Sequence, residues 1–149
     1  LLSDILTIRL NQKLREEICG VYSPLASSTI LQHPYSSYRM DIYFTCSPAN
    51  VDTLIEATLG EIEQMKNQIS IEDLDKVKRA WLKNRDGSLK TNGYWRRVLE
   101  DQWTRGEDEN DFEKYENQIL DVSAKQLSRL AKKCLDKQNH FEFILSPKK

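Results

Sequence analysis

The chain has only two histidines, His33 and His140, and three cysteines, Cys19, Cys46 and Cys134. They are far apart, with no C-x-x-C and no H-x-x-E-H, so no local metal motif can be built from them. An odd number of separated cysteines points to buried free thiols rather than a disulfide framework. The chain also lacks a G-x-S-x-G elbow, a G-x-x-x-x-G-K-[ST] phosphate loop and a G-x-G-x-x-G fingerprint, which removes the common signatures of acyl transfer and nucleotide binding. Neither sign of charge is in excess: 22 lysines and arginines against 23 aspartates and glutamates leave a net charge of -1. There is thus no electrostatic case for nucleic acid or for an anionic membrane as partner. No apolar run approaches the roughly 18 residues that would cross a bilayer, and no basic-then-apolar signal opens the chain. Because the chain starts at Leu1 rather than methionine, removal of an upstream segment stays open.

What is present reads as one domain. A length of 149 residues is enough for a core, and 39% hydrophobic with 30% charged residues is the balance of a soluble, helix-rich globular protein. Leu2, Ile5, Leu6, Leu10, Leu14 and Ile18 recur every three or four positions, which predicts a helix over 2–19 with one buried face, ended by Gly20 in a left-handed conformation. Residues 21–31 predict a strand. Pro24, which cannot donate to a ladder, places that strand at an edge or a bulge. After the turn His33 to Ser37, the residues Tyr38, Met40, Ile42, Phe44 and Cys46 alternate with Arg39, Asp41, Tyr43 and Thr45, and predict a second strand that closes a hairpin. Asn50 then caps a helix with the stripe Val51, Leu54, Ile55, Leu59, Ile62 and Met65.

Ser70 opens another helix with an acidic first turn, and a break is predicted at Asn92-Gly93. Trp81, Trp95 and Trp103 fall on its apolar stripe and are expected mainly in the core. The run Glu107 to Asp111 is acidic and exposed. Phe112, Tyr115, Ile119 and Leu120 mark a short helix, and Ser123 with Gln126 has the spacing of a capping box. His140 to Leu145 predicts a final strand. The fold class is therefore α+β, a two-layer α/β sandwich in the order helix, antiparallel hairpin, several helices, final strand. Three strands are few for so many helices, which implies that further strands lie upstream or on a partner.

The acidic pairs Glu16-Glu17 and Asp73/Asp75 suit solvated faces or helix starts as well as acid–base chemistry. Arg15 and Tyr22, on either side of the predicted corner in LREEICGVYS, stand out more. One account is a dipole-complementing arginine followed by an ordinary strand tyrosine; the other is a pair aimed at a bound molecule.

R-E-E-x-x-G-x-Y-S after an apolar helix, a hairpin, C-S-P-A-N-V-D-T-L-I opening a helix, I-S-I-E-D-L-D-K-V-K-R, and T-N-G-Y-W in a long broken helix follow in that order. Together they resemble the C-terminal, non-zinc-binding half of pitrilysin/insulinase-type zinc metallopeptidases, over residues 1 to about 146. That resemblance implies two similar units facing each other across a chamber, with zinc and H-x-x-E-H in the companion unit, a separate subunit or part of the same polypeptide. It implies no metal in this chain. It also implies that residues 1–149 are a single domain or a fragment, the later part of one such half-unit. Arg15 and Tyr22 then become substrate-binding residues that hold the scissile carbonyl and stabilise its oxyanion. The function implied is substrate binding and chamber closure in a zinc-dependent endopeptidase acting on peptides or unfolded proteins, with no catalytic residue in this chain. The alternative is a non-catalytic scaffold or assembly subunit of the same fold, and a free-standing binding domain ranks last. Compartment stays open between bacterial periplasm and cytoplasm.

Overall fold

A computed structural model describes residues 1–31, 34–105, 110–136 and 139–147. Helix α1 (Leu2–Leu10) runs into a π-helical turn over Asn11–Glu17, and the strands β1 (Leu25–Leu31) and β2 (Ser37–Tyr43) follow. A short 3-10 turn (Pro48–Asn50) leads to α2 (Val51–Asn67), α3 (Ile71–Ser88), α4 (Asn92–Arg105), α5 (Asn110–Asp121) and α6 (Ala124–Cys134). None of the described helices is long and apolar enough to cross a membrane.

The core forms where α1, the hairpin, α2, α3 and α6 converge. Ile5, Leu6, Leu10, Leu14, Leu54 and Met65 are fully enclosed there, joined by Leu74, Val77, Leu127 and Ala131. Those from the first helix and α2 are positions that the helical spacing assigned to buried stripes. The caps behave similarly. The Ser70 hydroxyl accepts from Asp73 N–H, and Ser123 with Gln126 forms a complete capping box. Asn50 lies at the start of α2 but makes no side-chain cap, because the 3-10 turn before it already gives it helical backbone angles.

β1 and β2 pair antiparallel from Leu25↔Tyr43 to Leu31↔Ser37, and Val21↔Cys46 forms a separate bridge beyond Pro24. The ladder therefore starts after the proline, which is itself fully buried. A polar seam joins α1 to β1. The Thr7 hydroxyl donates to Ala26 C=O at 3.1 Å and accepts from Ala26 N–H at 3.0 Å, while Ser3 meets Ser28 at 3.2 Å. Asn11, one helical turn further on, donates to Thr7 C=O. These hydroxyls fasten the helix to the strand, Thr7 through its backbone and Ser3 through a side chain.

Other expectations fail. His140 to Leu145 forms no strand: it pairs with neither β1 nor β2, and Phe141, Phe143 and Leu145 are exposed. A strand needs a neighbour for its N–H and C=O groups, and among the described residues this segment has none. The tryptophans are not core residues. Trp103 is 92% exposed, and Trp81 and Trp95 are more than a third exposed, their indole N–H groups bonded to Asp4 Oδ2 and Leu89 C=O. Cys19 is exposed rather than buried; all three cysteines are free. The helix break falls at residues 89–91, just before Asn92. The turn residue His33 and residues 107–109 of the acidic run lie outside the described residues.

Candidate functional site

The corner between the first helix and the hairpin is built from unusual local geometry. At the end of the helix the backbone widens: Ile18 N–H bonds Lys13 C=O at 3.1 Å, five residues back, and Gly20 N–H bonds Leu14 C=O at 3.0 Å. π-helical turns of this kind are rare and occur often at functional sites. The chain then reverses through a left-handed residue, as helix ends commonly do. That residue is Cys19, at φ 55°, and not Gly20 as the sequence suggested. The Cys19 thiol donates to Glu16 C=O at 3.5 Å. Gly20 is small for a different reason. A Cβ there would stand 2.8 Å from Leu54 Cδ2, and Leu54 is fully buried, so the corner can press onto α2 only where no side chain intervenes.

Beyond Gly20 the chain is pinned twice. Val21 is buried and bridged to Cys46, and Pro24 is fully enclosed. Tyr22, between these anchors, is left pointing to solvent at 81% exposure. Arg15, exposed on the π turn, places its guanidinium 5.4 Å from the centre of the Tyr22 ring. The fold thus brings together the two residues singled out in the sequence, as a cation–π pair worth about 0.5–1 kcal/mol at an exposed site. Among the described residues Arg15 has no acidic partner within ion-pair distance, so its charge faces outward uncompensated.

One concave surface lies away from this corner. Arg9, Gln64, Asn67, Gln68 and Ser70 line a shallow polar groove of about 350 Å³. Its arginine is already engaged: Arg9 Nε donates to Glu61 Oε2 at 2.8 Å and Nη2 to Gln64 Oε1 at 2.6 Å. No group of three His, Cys, Asp or Glu side chains among the described residues could hold an ion, and His140 pairs with Glu142 at 3.1 Å.

The sequence pattern of the peptidase M16 inactive domain matches residues 1–81, more than half of the chain. The chain belongs to this family. Three solved structures share the fold. A protease from Helicobacter pylori has a TM-score of 0.73 at 17% identity over 91% of this chain and 34% of its own. The peptidase M16 inactive domain from Pseudomonas fluorescens gives 0.74 at 16%, covering 91% and 34%. The periplasmic protease PqqL from Escherichia coli gives 0.68 at 16%, covering 90% and 15%. The chain therefore spans at most about a third of these proteins. No curated protein matches it in sequence. The corner that carries Arg15 and Tyr22 lies inside the residues matched by this inactive-domain pattern.

Proposed function

We propose that this M16 inactive domain binds the substrate and closes the chamber of a zinc-dependent endopeptidase that hydrolyses peptides or unfolded proteins. In this reading residues 1–149 are the later part of a C-terminal half-unit, and a companion half, in the same polypeptide or a separate subunit, carries the zinc and performs the hydrolysis. The observation that carries the reading is the exposed Arg15–Tyr22 pair, held out from the body by the buried anchors Val21 and Pro24.

A guanidinium and a phenol suit a peptide substrate. Arginine keeps its charge at any working pH, and tyrosine donates a hydrogen bond without ionising near neutrality. Both can bind a carbonyl oxygen and hold it more tightly as it becomes an oxyanion, which is the differential binding that accelerates a reaction. Stacking Arg15 on the Tyr22 ring restricts both side chains, so less freedom is lost when substrate arrives.

The test is hydrolysis of a quenched peptide library by the intact parent protein carrying Arg15→Ala or Tyr22→Phe, at equal zinc occupancy. Loss of an oxyanion donor predicts a fall in kcat/KM of roughly 10²-fold with folding unchanged. Unchanged kcat/KM in both variants would sink the reading and return the pair to capping and packing. A wild-type parent without activity would favour the scaffold role instead.

A further inference from the structure

At Gly20 only backbone separates the corner from the core. A Cβ built there would stand 2.8 Å from Leu54 Cδ2, 3.3 Å from its Cδ1 and 3.4 Å from Ile18 Cγ2. The backbone angle of Gly20 lies outside the left-handed region, so closeness and not torsion excludes a side chain. The same residue links the two members of the exposed pair. Gly20 N–H bonds Leu14 C=O at 3.0 Å, which closes the turn that carries Arg15, and Tyr22 follows just beyond the bridge of Val21 to Cys46. Any displacement of Gly20 therefore reaches both sides of the 5.4 Å contact between the Arg15 guanidinium and the Tyr22 ring. Leu54, on the other side, is fully buried in the main core. A close-packed core resists such a shift more than a single turn of chain does.

We infer that Gly20 and Leu54 are positioning residues for the substrate site, an inference that rests on the substrate-binding role proposed above. Neither touches substrate. The bare backbone of Gly20 seated on the Leu54 methyls sets the height at which Arg15 and Tyr22 stand over the body, and with it the point where their donors meet a carbonyl oxygen. Carbon atoms in contact settle at about 3.5–4.0 Å, so a methyl at position 20 has to move the corner, Leu54 or both by roughly 0.7 Å or more. Misplacement of about 1 Å is enough to cost on the order of 10²-fold in rate. The packing of one glycine on one leucine thus acts on the chemistry through the two side chains it holds in place.

The intact parent protein, at equal zinc occupancy and well below its melting temperature, is assayed on the quenched peptide library. Gly20→Ala should lower kcat/KM about tenfold or more, with the fall in kcat and KM within about threefold, because transition-state contacts are the ones misplaced. Adding Leu54→Ala makes room for the methyl and should bring kcat/KM back to within about threefold of wild type, although the core is then further depleted. Leu74→Ala, a core truncation in α3, should lower the melting temperature at least as far as Gly20→Ala and leave kcat/KM within about threefold. Activity then follows the seating of the corner and not stability. In the Leu54→Ala background Gly20→Val restores the crowding and should restore the loss, a comparison that serves even where Gly20→Ala alone does not fold. Wild-type kcat/KM in Gly20→Ala, or losses across the set that track melting temperature, overturns the inference. Arg15→Ala separates the two levels. If it leaves activity undiminished, the substrate-binding role falls and this inference with it; a deep loss there beside an unimpaired Gly20→Ala overturns this inference alone.

Discussion

Replacing Gly20 with alanine would put a methyl group 2.8 Å from Leu54 Cδ2 and 3.3 Å from Cδ1. Side-chain ends often yield to such an intrusion, but Leu54 is fully buried in the main core, where a shift disturbs the close-packed side chains around it. The overpacking cost is about 1–3 kcal/mol. For a chain of this length each kcal/mol lowers the melting temperature by about 2–4 °C, so a fall of roughly 3–10 °C is expected in differential scanning calorimetry. Coupling distinguishes this mechanism from simple backbone stiffening. Leu54→Ala alone should cost about 2–5 kcal/mol, and in the double variant the added methyl occupies part of the space vacated, so the pair should cost clearly less than the sum. Cys19→Gly acts on the other half of the corner. It relieves about 1–2 kcal/mol of left-handed strain and loses about 0.4–1 kcal/mol through the freer unfolded chain, a net change near zero or slightly stabilising. A neutral Gly20→Ala would refute the overpacking account, and a strongly destabilising Cys19→Gly would refute the assignment of left-handed strain to Cys19.

Three further outcomes test the packing. The Arg9–Glu61 pair joins α1 to α2 with side chains only 16% and 9% exposed, so removing Arg9 alone should cost about 1–3 kcal/mol by leaving a carboxylate without its partner. A double-mutant cycle by urea denaturation should return a coupling near 1 kcal/mol or more, and additivity would show the pair to be incidental. Trp103→Ala should change stability by no more than about 0.5 kcal/mol, since the side chain is 92% exposed; a loss of several kcal/mol would place that tryptophan in a core. The Tyr38 phenol, removed in part from water and lying beside Cys134, is held above the usual 10.0 of tyrosine. Because the folded state keeps this proton more tightly, Tyr38 contributes stability that is present below pH 10 and lost as pH rises through its folded-state value. Ultraviolet titration of wild type against Tyr38→Phe should show that late-titrating phenol disappear.

The contrast between what the sequence disclosed and what it hid follows range of interaction. The stripe Leu2 to Leu14, the Ser70 cap and the Ser123–Gln126 box depend on neighbours within a turn of helix, and spacing alone reveals them. The pairing of β1 with β2 is nearly as local. Arg15 and Tyr22 were visible as chemistry without an assigned structural partner, and the fold joins them because a widened turn and two buried anchors orient the chain between them. The π turn itself leaves no trace in hydrophobic period, since Leu10, Leu14 and Ile18 keep their spacing through it. Gly20 was read from its own freedom of rotation, but its role is set by Leu54 on another helix. The bonds of Thr7 and Ser3 to β1 depend on a strand that lies more than a dozen residues away in sequence, so no local pattern announces them. His140 to Leu145 carries strand-forming residues without a strand beside it, and the tryptophans lie on an apolar stripe that the rest of this chain only partly covers. Apolar patterning states which surfaces need covering; whether they are covered depends on which polypeptide is present to do so.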